Sequence, residues 1–212
     1  MPFSNPFLIT KLPYEENFRN ALIKECLKIK NQQDTINSVV ANRQVGWQSQ
    51  KILFKTQEPC LKRISEFIHS SIQTISKFIA PNINFDNFNA VSAGWININQ
   101  KGSLHFPHTH GHTTFAGVFY VKIPKTTKTT NDNDLIKPGY IEFLDPRNDV
   151  SGWACGINDF QQSLAFDQRM LLEPKEGNLL VFPAWLKHWV YPNVDNEERI
   201  SISFNYRLIN KN

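Results

Sequence analysis

The chain of 212 residues has few thiols and few thioethers: three cysteines, Cys26, Cys60 and Cys155, and two methionines. An odd number of cysteines with no close pair excludes a disulfide framework and a Cys-x-x-Cys metal knuckle. Reduced thiols in the cytoplasm are the simplest account. No apolar run is long enough to span a bilayer. The opening Met1-Pro2-Phe3-Ser4-Asn5-Pro6 lacks a charged segment followed by an apolar one, so no secretory signal is expected. No dense Lys/Arg run occurs either. A net charge of +4 and a pI near 8.9 are mildly basic, and they mark neither a nucleic-acid arm nor a polybasic membrane anchor. There is no internal repeat. With methionine scarce and 16 phenylalanines present, aromatic packing is expected to dominate the core. Apolar residues at 41% and charged residues at 20% are ordinary for a globular domain, and the length suits one domain, 1–212. The reading leaves a homodimer open.

What is present falls into two halves. Residues 1–14 carry three prolines and read as an extended lead-in. A first helix is expected over 15–31, with Phe18, Ala21, Leu22, Cys26, Leu27 and Ile29 near the 3.6 period and Glu15 and Glu16 in the first turn. Residues 32–49 are polar and read as a loop. A second helix follows: Thr56 is placed to cap it, Pro59 fits its first turn and Pro81 ends it. Leu61, Ile64, Phe67, Ile68, Ile72, Ile75, Phe78 and Ile79 form its core-facing stripe. His69 reads as a boundary residue. From residue 88 the period becomes two, with strands expected at Val91–Asn99, Phe115–Ile123, Tyr140–Leu144, Asn178–Phe182, His188–Tyr191 and Arg199–Leu208. Thr126–Gly139 and Asp145–Gln162 read as loops, the second as a lid. The order is α+β, with an N-terminal helical support region (1–85) packed on a β-rich core (86–210).

Four of the six histidines fall within eight residues: His105, His108, His110 and His112. A fifth, His188, comes much later. Residues two apart on a strand share a face, so an extended segment would aim His108, His110 and His112 together. Pro107 confines that segment to a strand start or an edge. Imidazole suits Fe(II), Zn, Cu and Ni, so ligand type alone does not choose the metal. A surface cluster without metal is the competing reading.

The last strand adds a second signal. Ile200, Ile202, Phe204, Tyr206 and Leu208 form one face, and Arg199, Ser201, Ser203, Asn205 and Arg207 the other. If the apolar face packs on the helices, the polar face lines the interior. A buried Arg199 then needs an anion, and its planar fork matches a carboxylate. The alternative is a surface Arg199 paired with Glu197 or Glu198. Asn97 and Asn99 also share a face of their strand, where propensity disfavours them.

These blocks resemble the double-stranded β-helix Fe(II)/2-oxoglutarate-dependent oxygenases. The resemblance rests on Trp95-Ile-Asn-Ile, His108-Thr-His110, Ala116-Gly-Val-Phe-Tyr120-Val, Phe143-Leu-Asp-Pro-Arg147, Gly177 to His188 and Arg199-Ile-Ser-Ile-Ser-Phe-Asn205, with Gly46-Trp-Gln-Ser49 upstream. More narrowly, they are similar to a group of such oxygenases common in marine bacteria and phages. The resemblance implies a jelly-roll, cupin-like barrel, and iron held by His108, His110 and His188. It also implies 2-oxoglutarate bound through its C5 carboxylate by Arg199, with Ser201 and Tyr120 helping and Asn97 beside it. The implied activity is hydroxylation of a C–H bond with O2, on a substrate the residues do not name.

One departure matters. The usual ligand set is two histidines and a carboxylate. Here His110 stands where the carboxylate is expected, and the nearest following acid is Asp132. Ligation by His110 with His112 is the alternative register. The residues also allow a three-His dioxygenase that needs no 2-oxoglutarate, and a jelly roll that binds without catalysing. Trp153, Trp185 and Trp189 are candidates to stack on a substrate, the last two more simply as core.

Overall fold

The computed structural model describes residues 6–32, 43–44, 46–124, 137–146 and 169–211. Eleven strands and two α-helices lie among them: β1 (Leu8–Lys11), α1 (Glu16–Gln32), β2 (Arg43–Gln44), β3 (Trp47–Gln48), α2 (Pro59–Ile79), β4 (Phe88–Asn99), β5 (Leu104–His108), β6 (Phe115–Lys122), β7 (Ile141–Leu144), β8 (Arg169–Leu172), β9 (Asn178–Pro183), β10 (His188–Val190) and β11 (Arg199–Asn210). A short 3-10 turn, Phe85–Asn87, precedes β4.

The strands form two sheets. The larger has the order β1-β9-β6-β11-β4-β3, the smaller β2-β5-β10-β7-β8, and every pairing is antiparallel. Face to face, they make the double-stranded β-helix, a jelly roll with helices on one outer face. Strand alternation decides what fills each side. Ile200, Ile202, Phe204 and Tyr206 of β11 join Leu22, Cys26, Leu61, Ile64, Ile68 and Ile72 of the helices in one buried layer. Tyr120, Phe143, Leu180, Phe182 and Val190 form a second layer between the sheets. The polar face of β11 therefore looks inward.

Helix α2 forms because its apolar residues recur at three and four, presenting a stripe to the larger sheet. Its start differs from the expectation. Glu58, not Thr56, holds the cap position and makes no side-chain cap bond; the Thr56 hydroxyl accepts from the Glu58 backbone N–H at 3.1 Å. Pro59 at the first helical position explains this, since it holds Glu58 extended and has no N–H to cap. The last turn runs past the packed face, leaving Phe78 80% and Ile79 48% exposed instead of buried.

Five strands went beyond the expected elements. Leu8–Lys11 pairs with β9, and the Arg43–Gln44 and Trp47–Gln48 strands join opposite sheets. Leu104–His108 and Arg169–Leu172 complete the smaller sheet. These segments are too short or too polar to carry a period, and pairing with a neighbour makes them strands. The expected loops at 126–139 and 145–162, with Trp153 and Cys155, fall largely outside the described residues. In the centre of the larger sheet, Gly117 is required by close approach. A Cβ there would lie 2.3 Å from the Leu180 carbonyl oxygen and 2.3 Å from the Phe204 ring.

Candidate metal centre

Three histidines meet at one end of the space between the sheets. His108 closes β5 and lies opposite His188, the first residue of β10. Beyond His108 the chain leaves the strand, and the His110 N–H donates to the Ala184 carbonyl at 2.8 Å, which carries His110 across to the β9–β10 turn. Their candidate ligand atoms all lie within 4.8 Å of one another. His110 Nε2 and His188 Nε2 are 3.4 Å apart.

The orientation of each ring has a local cause. His108 Nδ1 is 2.6 Å from the Phe106 carbonyl, and His188 Nδ1 is 2.9 Å from the Leu186 carbonyl. An acceptor at Nδ1 assigns the proton there and leaves Nε2 as a lone-pair donor. The Asn205 side chain, on the inward face of β11, stands near enough to His110 to favour its protonation, although its Oδ1 completes no well-formed hydrogen bond among the described residues. Burial works in the other direction on all three rings. It lowers the His108 pKa, takes His110 down to about 4 and takes His188 down to about 3, with the neighbouring imidazoles adding to the last two. At neutral pH the three rings are uncharged, the form that binds metal.

His112 does not join them. It is exposed in a turn with φ of 58°, so the left-handed backbone there turns its side chain off the inward face. The three-in-a-row strand is thereby corrected: the strand ends at His108, and alternation no longer governs the residues beyond it.

Arg199, Ser201, Tyr120 and Asn97 are buried beside the cluster and line the same cavity. In the β4/β11 register Ser201 faces Asn97, and in the β6/β11 register it faces Tyr120. Arg199 is not the surface residue of the competing reading: Glu197 pairs with Lys122 at 3.2 Å and Glu198 with Lys30 at 2.6 Å. The Arg199 guanidinium instead lies 5.4 Å from the centre of the Tyr120 ring. Arg199 Nε and the Tyr120 hydroxyl are buried neighbours, and neither completes a well-formed hydrogen bond among the described residues. Burial lowers the Arg199 pKa, and raises that of Tyr120 to about 12 despite the nearby cation. A buried cation with an orphaned donor is a strained arrangement unless an anion completes it. Asn97 is engaged elsewhere, donating to the Ser203 hydroxyl at 2.9 Å.

The cavity, about 790 Å³, holds both groups of residues and is lined in addition by Trp95, His105, the segment Gln48 to Ile52, and Lys55. Sequence reasoning passed over Asn205, although its period-two position on the inward face of β11 was a signal. It passed over Lys51 and Lys55, for which no local pattern exists. Trp185 is 52% exposed and Trp189 half-buried, so the simpler core reading of these two is corrected. Trp185 sits in the β9–β10 turn, where the strand pairing ends and no second layer of the described residues covers it.

Solved structures share this architecture. A prolyl-4-hydroxylase of Pseudomonas putida superposes with a TM-score of 0.60 at 14% identity, over 96% of this chain and 93% of that one. A prolyl hydroxylase of Trichoplax adhaerens, in complex with a hypoxia inducible factor peptide fragment, gives 0.59 at 11% identity, over 96% and 84%. HygX of Streptomyces hygroscopicus, with nickel and 2-oxoglutarate bound, gives 0.57 at 10% identity, over 96% and 83%. At these identities the likeness is one of fold. No curated protein matches the chain in sequence. Residues 93–205, more than half of the chain, match the family model described as "Putative 2OG-Fe(II) oxygenase". That segment runs from β4 through the histidine cluster to Asn205 on β11, and the chain belongs to the 2-oxoglutarate/Fe(II) oxygenase family.

Proposed function

We propose that the chain is an Fe(II)- and 2-oxoglutarate-dependent hydroxylase in which His108, His110 and His188 hold the iron and Arg199 holds the cosubstrate. The observation that carries this reading is the juxtaposition itself. Three neutral imidazoles converge within 4.8 Å, and a buried arginine without an acidic partner among the described residues lines the same cavity. The donor set fits a divalent first-row metal, and the orphaned Arg199 and Tyr120 groups fit a carboxylate. When bound, iron with 2-oxoglutarate supplies O2 activation coupled to oxidative decarboxylation, the oxidising power for a C–H bond.

The chain's own residues position and exclude. Arg199 would hold the distal carboxylate through its planar fork, with the Ser201 and Tyr120 hydroxyls beside it. Asn97, held by Ser203, keeps that wall polar without a charge. Phe182 and Phe143 pack around His188, with ring centres 4.8 and 5.5 Å away, and keep water from that ring. The Nδ1 contacts of His108 and His188 fix both rings before metal arrives, so little side-chain entropy is lost on binding.

The decisive experiment is anaerobic titration of the chain with Fe(II) and then 2-oxoglutarate. The expected result is a weak visible charge-transfer band that needs both additions and is lost in Arg199→Ala. Metal binding with O2 consumption but no band, and no dependence on 2-oxoglutarate, would instead support the three-His dioxygenase reading, which the carboxylate-free ligand set favours. A chain that holds no stoichiometric metal, and folds and binds unchanged after His108→Ala with His188→Ala, would be a non-catalytic jelly roll.

A further inference from the structure

The cavity is much larger than a short diacid needs, and its remaining wall has a definite character. That wall is the segment from Gln48 to Ile52 with Lys55, together with Trp95. Its backbone is held by β4: the Ser49 N–H donates to the Ile96 carbonyl at 3.0 Å, and the Ile96 N–H donates back to the Ser49 hydroxyl at 2.9 Å. The Leu53 N–H donates to the Gly94 carbonyl at 3.1 Å. Leu53 is buried, and a Cβ on Gly94 would lie 2.7 Å from its side chain, so the segment seats directly on the sheet. Lys51 and Lys55 stand on either side of the turn closed by the Lys55 N–H to the Ile52 carbonyl. Neither ammonium has an ion-pair partner among the described residues, unlike Lys28, Lys30, Lys122 and Lys175.

The cavity's charge inventory is one-sided. Among the described residues lining it, Lys51, Lys55 and Arg199 are cations, and there is no aspartate or glutamate. A ligand set without a carboxylate leaves the charge of a divalent metal uncompensated as well. One 2-oxoglutarate dianion does not neutralise this total. Like-signed charges along a concave wall focus their field into the cavity and concentrate anions there.

We propose that the primary substrate is a small organic anion, carrying a carboxylate or phosphate, anchored by Lys51 and Lys55 with its apolar part against Trp95. This rests on the oxygenase reading and names the substrate class of the same site. The two lysines confer specificity; they are exposed and act as solvated charges, so each contributes modestly and the pair acts together.

The test uses the full chain loaded with Mn(II) and saturated with 2-oxoglutarate without O2, so that the Arg199 site is already filled. Phenyl phosphate, benzoate and benzyl alcohol are titrated calorimetrically as dianionic, monoanionic and neutral probes of one shape. An anion-reading wall gives binding of an anionic probe at least about tenfold tighter than of benzyl alcohol. Lys51→Glu combined with Lys55→Glu weakens that probe by at least a further factor of about ten, and Lys51→Gln with Lys55→Gln by less. Preference for phenyl phosphate assigns a phosphate, and preference for benzoate a carboxylate. Equal affinity for charged and neutral probes, or no response to charge reversal, overturns the proposal while the 2-oxoglutarate titration stays normal. A chain that fails to bind 2-oxoglutarate overturns the oxygenase reading instead, and in that chain the response of the anionic probes to charge reversal at Lys51 and Lys55 decides whether the wall selects anions.

Discussion

At the scale of single residues, the centre depends on what stands behind each ligand as much as on the ligand. Asn205 carries no charge and lies on a strand otherwise notable for its apolar face, yet it stands close enough to His110 to favour that ring's protonation. Outer partners of metal-bound imidazoles are generally worth a factor of ten to a hundred in affinity. Asn205→Ala is therefore expected to weaken Mn(II) binding by about that factor, measured by competition with a chelator, while His110→Ala weakens it further. Arg199 is a different case, because its proposed partner is the cosubstrate. Arg199→Ala should leave metal affinity within about threefold and raise the 2-oxoglutarate dissociation constant by about a hundredfold, since a charge-assisted pair is worth roughly 2–3 kcal/mol. Paired metal and 2-oxoglutarate titrations separate the two. An equal loss of both would place Arg199 in the metal site's framework.

At the scale of elements, short segments are tied down by polar contacts as well as apolar ones. Arg19 of α1 reaches Glu176, in the turn before β9, through Nε at 2.7 Å and a second nitrogen at 3.0 Å. The same carboxylate accepts from the Ile123 N–H at 2.9 Å. Burial alone would raise the Glu176 pKa, but Arg19, the Ile123 N–H and Lys122 together bring it below the ordinary value. A carboxylate depressed in the folded state stabilises it above the unfolded pKa and ceases to do so as pH falls through the folded one. Glu176→Gln should thus cost about 1 kcal/mol at pH 7, and the difference from the parent should shrink below about pH 4 and then vanish. Urea unfolding at three pH values reads this. Gly117→Ala tests the sheet itself: with no room for a Cβ against the Leu180 carbonyl, it should cost upwards of about 2 kcal/mol.

At the scale of the whole molecule, the helices and the site occupy opposite faces of one sheet. Ile68 of α2 is fully buried against the outer face, while Arg199, Ser201 and Ser203 line the cavity from the inner one. Ile68→Ala should remove about 2–5 kcal/mol of stability, read as a lower urea midpoint. If the sheet transmits little of this, the metal affinity of the folded fraction stays unchanged. Ligand binding acts in the opposite sense. Mn(II) plus 2-oxoglutarate, at about a hundred times their dissociation constants, should add a few kcal/mol and raise the melting temperature by several degrees for a chain of this size. In Arg199→Ala only the metal's share should remain. No helix among the described residues is long and apolar enough to cross a membrane.

Much of this was legible in the chain alone, because periodicity is a local property. The α2 stripe, the alternation of β11 and the position of Arg199 on its polar face come from side chains a few residues apart. The family resemblance came from the order of such blocks. What the chain alone left open was anything decided by contact between distant segments. Whether His110 or His112 joins His108 depended on where β5 stops, which is set by its pairing with β10 and by the hydrogen bond from the His110 N–H to the Ala184 carbonyl. Whether Arg199 met Glu197, Glu198 or a cavity depended on Lys30 and Lys122 arriving to take those acids. Lys51 and Lys55 had no pattern to reveal them, and they gained a role only when residues 48–55 were laid across β4. Local chemistry chose the elements and most of the reactive residues; tertiary packing, by burying some charges without partners and pairing others, chose which of them share one cavity.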